Sequence, residues 1–299
     1  MSKIKYISVE EAAQNWKISG RSVRNYCAQG RVEGALMEGK IWKIPFDTEK
    51  PGRKLRHSPT NETLLAFLRR EKDAGLKGGI YHKIQIDLTY NSNHIEGSKL
   101  THDQTRYIFE TKTIGVTDNA VKVDDIVETV NHFRCIDLII EGANTKLSES
   151  FIKQLHFILK SGTTDSQKSW FRVGDYKMLE NQVGDSYTTK PAKVPDAIKA
   201  LLKEYNSKSK ITLDDILDFH VRFESIHPFQ DGNGRVGRLI MFKECIKHNI
   251  VPFIITEELK MFYYRGIKNW ENERGYLRDT CLTGQDEMKA ALDYFGIKY

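Results

Sequence analysis

The sequence predicts a mainly α-helical chain: an all-helical core carrying one small β-hairpin, preceded by a small N-terminal unit of helix, turn, helix and hairpin. Three observations predict it. Beyond residue 60, apolar residues recur at helical spacing in one segment after another. Within that region only DYKMLENQVGDSYTTKP reads as a hairpin, with turn residues around Val183 and Tyr187. The basic excess is confined to the start: residues 1–60 hold 12 Lys and Arg against 6 Asp and Glu, whereas the other 239 residues hold 34 of each.

The remaining composition excludes several classes. A chain of 299 residues, 39% hydrophobic and 29% charged, is ordinary for a globular protein of one large core or two domains. No apolar run approaches membrane-spanning length. The opening MSKIKYISVEE has no apolar signal core, so a cytoplasmic location is expected. Cys27, Cys135, Cys245 and Cys281 are scattered, with no CxxC pair. They are expected to be reduced and buried rather than zinc ligands or disulfides.

In chain order, residues 1–46 form the first expected domain. Ser8 and Glu11 make a capping box for a short helix with Ala12, Ala13 and Trp16 on one side. Ser19 caps a second helix, SGRSVRNYCAQG, that stops at Gly30. Turn glycines at Gly34 and Gly39 lead to a strand with Ile41, Trp42 and Ile44 before Pro45. Residues 47–60, DTEKPGRKLRHSPT, read as a linker. From residue 61 onward, NETLLAFLRREKDAG is amphipathic, and IQIDLTYNSNHIEG gives a helix over about 84–97 ending at Gly97. VDDIVETVNHFRCIDLII is apolar at Ile126, Val127, Val130, Phe133, Ile136 and Ile140. LSESFIKQLHFILKSG has a Ser148 cap and a Gly162 stop, and TLDDILDFHVRFESI is capped by Thr212 with Asp215 three residues on.

Between that last helix and RVGRLIMFKEC lies HPFQDGNGRVGR, residues 227–238. Its glycines, acid, His and arginines are not what a core or an ordinary turn requires. Gly232, Asn233 and Gly234 fall at a helix N-terminus, where free N–H groups and the macrodipole make an anion site. Glycine lets a phosphate approach the backbone. Arg235 and Arg238 are three apart, share one side of the helix and reach further phosphate oxygens. Asp231 suits Mg²⁺ held by one carboxylate plus phosphates. His227 is the base whose ordinary pKa suits neutral pH. Phe229 is expected to anchor the loop in the core.

This stretch resembles the Fic (Fido) signature HxFx[D/E]GNGRxxR at every specified position, and the resemblance extends over roughly residues 60–299. It implies a protein adenylyltransferase that moves AMP from Mg–ATP to a Ser, Thr or Tyr hydroxyl of a target protein. His227 would take the hydroxyl proton and Asp231 would hold the metal. Gly232, Asn233, Gly234 and Arg235 would bind the α- and β-phosphates, and Arg238 the γ-phosphate. SNHIEG, residues 92–97, resembles the family's inhibitory motif [S/T]xxxE[G/N]. Ser92 and Glu96 are four apart, and a bidentate pair from Glu96 to Arg238 would block the γ-phosphate. The segment around Asn181 and Val183 resembles the flap that pairs with a target backbone, and a plain surface hairpin is the other reading. FYYRGIKNW resembles the adenine-pocket segment, which makes Tyr264 and Asn269 the candidates there; an aromatic core is the alternative.

Residues 1–46 resemble the winged helix-turn-helix of MerR and excisionase proteins. That implies DNA contacts by Arg21, Ser22, Arg24 and Asn25 in the major groove, and by Lys40 or Lys43 from the wing. A small domain that binds protein is the alternative. Two further functions stay open beside AMP transfer. One is AMP removal, with Glu96 positioning water; the other is a nucleotide-sensing transcription regulator. Self-modification and a homodimer are also compatible with the sequence.

Overall fold

A computed structural model describes residues 5–28, 31–39, 41–51, 62–115, 120–184 and 186–299. The chain forms two compact units, Met1–Arg56 and His57–Tyr299. Most of the expected linker, together with Lys40 and Gly30, lies outside the described residues.

The first unit runs β1 (Tyr6–Ile7), α1 (Val9–Trp16), α2 (Gly20–Ala28), β2 (Leu36–Glu38) and β3 (Ile41–Pro45). Ser8 and Glu11 form the capping box: the Glu11 N–H donates to Ser8 Oγ at 3.1 Å and the Ser8 N–H to Glu11 Oε2 at 2.8 Å. Ser19 Oγ accepts from the Ser22 N–H at the start of α2. Val9, Ala12, Val23, Cys27, Val32 and Ile44 make the core. The sheet order is β1-β3-β2, both pairings antiparallel. Strand β1 was not anticipated, because two residues are too short to show a period. It exists because β3 offers it an edge.

The second unit is helical: α3 (Leu64–Asp73), α4 (Ile80–Ile95), α5 (His102–Thr111), α6 (Val123–Gly142), α7 (Glu149–Lys160), α8 (Val194–Ser207), α9 (Leu213–Ile226), α10 (Asn233–Lys247), α11 (Glu257–Lys268) and α12 (Gly275–Phe295). The expected hairpin is β4 (Gln182–Val183) paired with β5 (Ser186–Tyr187). Helix α4 starts four residues before the expected position 84. Helix α5 was missed, although Thr101 and Gln104 form a capping box at its start.

Helix α10 lies at the centre. Every residue from Asn233 to Ile246 except Gly234 is buried. It therefore has no solvent face and must be packed on all sides. Helices α4, α6, α7 and α9 surround it, so any polar group on α10 needs a partner from one of them. All four cysteines are free and buried. Among the described residues, no helix is long and apolar enough to cross a membrane.

Candidate active site

Helix α9 ends at His227, which takes the left-handed conformation at φ 51° and ψ 62°. A non-glycine residue held there stores strain, which is characteristic of functional sites. The loop then turns through Phe229, wholly buried, and Gly232, at φ 83°, opens α10. No side chain caps that helix end. Its first-turn N–H groups and dipole are therefore available to an anion.

The side chain of Asn233 turns into the loop and leaves its backbone N–H at the start of α10. Its Oδ1 accepts from the Phe229 N–H and its Nδ2 donates to the Phe229 carbonyl, both at 2.8 Å. It clamps the loop shut from within. His156, on α7, clamps it from outside. Its ring stacks on Phe229 with centroids 3.9 Å apart and planes 2° from parallel. The Gly174 N–H donates to its Nδ1, so Nε2 carries the proton and donates to the Asp231 carbonyl at 3.1 Å. Burial lowers its pKa to about 3, which keeps that tautomer neutral.

The motif's charged side chains diverge. Arg235 pairs with Glu128 of α6 and, at 3.1 Å, with Asp231. Lys160 at the end of α7 donates to Glu128 at 2.5 Å and to Asp231 at 2.7 Å. Burial pushes the Asp231 carboxyl up, but Arg235 and Lys160 outweigh it and hold it well below the usual range. Arg235 is thus paired with two carboxylates, one of them the motif's own Asp231. Asp231 keeps 47% of its side chain exposed. An ionised, half-open carboxylate fits a divalent cation that brings phosphate oxygens with it. Among the described residues no cluster of three His, Cys, Asp or Glu could hold a metal unaided.

Arg238 points the other way, into the helical interior. Its Nε donates to Ser92 Oγ at 3.0 Å, and its Nη2 to the Ser92 carbonyl at 2.9 Å and to Glu96 Oε1 at 2.6 Å. One hydrogen bond, from Nη2, joins Arg238 to Glu96, where a bidentate pair was expected, and Ser92 takes two more of the guanidinium's donors. Glu96 is the C-cap of α4, followed by Gly97 at φ 98°. Its carboxylate covers Gly234: a Cβ at that position would strike Glu96 Oε1 and lie 2.9 Å from Arg238 Nη1. The carboxylate thus occupies the approach to the α10 N-terminus.

Several residues here were not anticipated. Glu224 on α9 is half-buried, and its Oε1 is buried without a partner among the described residues. Burial of the carboxyl raises its pKa to about 8 against the pull of Arg238. His220, one turn earlier, shares a 2.6 Å bond between Nε2 and Tyr263 Oη. A Cβ on Gly237 would meet both Glu224 and His220, so glycine is required there for close packing. Lys160, Glu128, His156 and Glu224 lie outside the motif and carry no local sequence signal. Buried charges on an all-buried α10 were the available clue that carboxylate partners had to exist elsewhere.

The outer candidates are less uniform. Val183 is half exposed on the hairpin. Asn181 is an anchor: its Nδ2 donates to the Phe229 carbonyl at 3.2 Å. Tyr264 on α11 is partly exposed, and the charges of Glu96 and Arg238 act on its phenol. Asn269 closes α11, donating Nδ2 to the Arg265 carbonyl at 2.7 Å. In the first unit Arg21, Arg24 and Asn25 are exposed on α2, and Ser22 is half-buried. Arg24 pairs with Glu10 at 3.6 Å, and Lys43 pairs with Glu38.

A model of the Fic/DOC family matches residues 146–245. Protein adenylyltransferase fic-1 of Caenorhabditis elegans is 25% identical over 187 residues, covering 60% of this chain and 35% of that protein. Protein adenylyltransferase Fic of Drosophila sechellia is 26% identical over 209 residues, covering 67% and 38%. The chain spans little more than a third of the length of these curated relatives. A Fic-domain-containing signaling protein from Bacteroides thetaiotaomicron is similar in fold, with a TM-score of 0.57 at 24% identity over 78% of this chain and 91% of that one. The Fic-1 fragment of C. elegans gives 0.60 at 18% identity over 77% and 71%. Within the helical unit, residues 146–245 are thus similar to the Fic/DOC domain, and the unit has the fold of solved Fic proteins.

Proposed function

We propose that the helical unit transfers AMP from Mg–ATP to a Ser, Thr or Tyr hydroxyl of a target protein, and that Glu96 holds it inhibited. One observation carries the reading: Glu96 binds Arg238 at 2.6 Å and covers Gly234, at the place where an anionic ligand would seat. In this reading the target hydroxyl gives its proton to the His227 imidazole while its oxygen attacks the α-phosphorus. The bond from that phosphorus to the bridging oxygen breaks, and pyrophosphate leaves. The α10 N-terminus supplies fixed dipoles to the developing charge. Asp231, held by Lys160, receives the Mg²⁺ that arrives with ATP. Arg238, released from Glu96, binds the γ-phosphate and so sets the α-phosphate in line. The β4–β5 hairpin pairs with the target backbone, with Val183 against the modified side chain. Tyr264 stacks on the adenine and Asn269 offers Oδ1 to it. The names of the curated relatives support the activity.

The experiment is transfer of label from α-labelled ATP with Mg²⁺, using cell lysate as target. Wild type, Glu96→Gly, and Glu96→Gly with His227→Ala are compared. Silence, signal and silence are expected in that order. Silence in all three overturns transfer and points to AMP removal or nucleotide sensing.

For the first unit we propose DNA binding through the exposed face of α2, with Arg21, Arg24 and Asn25 reading the groove. Its net charge supports the reading. Gel retardation of the full chain should weaken, with a shallower salt dependence, in Arg21→Ala with Arg24→Ala.

A further inference from the structure

Lys177 precedes the hairpin and is buried, at 4% exposure, yet it has no carboxylate partner among the described residues. A buried ammonium without one is costly, so its position calls for a reason. Its Nζ donates to Asn181 Oδ1 and Thr188 Oγ1, both at 2.6 Å, and to the Ile226 carbonyl at 3.5 Å. Its own N–H donates to the Pro228 carbonyl at 2.9 Å. One residue thus grips the carbonyls on both sides of His227. Asn181 extends the grip to Phe229, and the Leu179 N–H donates to Gln230 Oε1 at 3.1 Å. The root of the hairpin and the loop carrying His227 are therefore joined along residues 177–181 and 226–230.

We propose that Lys177 is a positioning residue for the transfer reaction: through the Ile226 and Pro228 carbonyls it ties the His227 loop to the hairpin root and holds its positive charge next to the proton-accepting residue. The proposal rests on His227 being the base of the reading above. The groups acting on the imidazole come from every side. Burial lowers its pKa first and the Lys177 charge next; the Glu224 carbonyl on α9, Glu96 at the end of α4 and Asp231 in the loop oppose them. Of the largest charge effects on this histidine, those of two carboxylates favour its protonation and that of Lys177 opposes them. Burial brings Lys177 itself down to about 8, with Glu180 opposing, so it stays charged through neutral pH.

The test is a titration of the His227 ring in the full chain by NMR with labelled histidine, assigned by the signal missing from His227→Ala. Wild type, K177Q and K177R are compared. K177Q keeps a hydrogen-bond donor and loses the charge; K177R keeps the charge. In wild type His227 should titrate below the ordinary value of about 6.5. In K177Q the titration should rise by about half a unit or more, while K177R stays with wild type. In the Glu96→Gly background the acid limb of label transfer should move in step, lowering the rate of K177Q about twofold at pH 6. K177Q titrating with wild type overturns the proposal. So does a wild-type His227 that titrates at or above the ordinary value, which decides the matter even if K177Q fails to fold. Expected titrations without label transfer in any protein would reject the transferase reading and leave the electrostatic role of Lys177 standing.

Discussion

Arg21 and Arg24 on α2 and Arg235 and Arg238 on α10 have the same spacing, and the fold treats them in opposite ways. The first two are exposed, and Arg24 meets Glu10 at 3.6 Å with both side chains largely in solvent. Such a pair contributes little, because water and salt screen it. The second two are buried, and each is met by a carboxylate from far along the chain: Glu128 is 107 residues from Arg235, and Glu96 is 142 residues from Arg238. An arginine three residues from another means nothing by itself. Burial decides whether the guanidinium is a solvated surface charge or one fixed by its partners.

The largest effect that would break this comparison is on activity. Glu96→Gly should raise label transfer more than tenfold, since it frees Arg238 and uncovers Gly234. Adding Arg238→Ala should then abolish the gain. A wild type as active as Glu96→Gly would show that the buried pair exerts no control. The next largest effect is on stability. Arg235→Ala leaves Glu128 and Asp231 facing each other, with only Lys160 between them. Breaking such a pair costs about 3–5 kcal/mol, or about 10 °C of Tm for a unit of this size. Arg24→Ala should move Tm by no more than about 1 °C. Thermal denaturation of both variants checks this, and equal shifts would erase the distinction.

A pH effect sharpens it further. The folded-state pKa of Glu224 is raised to about 8 from an ordinary value of 4.5, first by burial. The native state then holds a proton that the unfolded chain has lost between those values. The stability linked to this proton is full below about pH 4.5 and fades as pH rises toward 8. Glu224→Gln should therefore be less sensitive than wild type to a rise from pH 6 to 8.5 in urea unfolding. A parallel loss in both would show that Glu224 is ionised when folded. The smallest effect belongs to α2. Arg21→Ala with Arg24→Ala should reduce the salt slope of any DNA binding by about 2, one for each phosphate contact removed.

Much of the site could be read locally. The loop from His227 to Arg238, the Ser92 and Glu96 pair, the Ser8 and Thr212 caps and the helical identity of the second unit are patterns within a dozen residues. Nearest-neighbour chemistry determines them: a cap needs its acceptor three residues away, and an anion site needs glycines at a helix start. What only the tertiary structure decided is which side chains each charge meets. Asn233 turned inward to Phe229, Arg235 met Glu128 and Asp231, and Arg238 met Ser92 as well as Glu96. Lys160, His156, Glu224 and Lys177 became parts of the site from helices and turns with no motif of their own. The physical reason is that α10 is buried on every side. A buried charge must be paired, and its partners come from whichever elements pack there, at separations along the chain that no local pattern records.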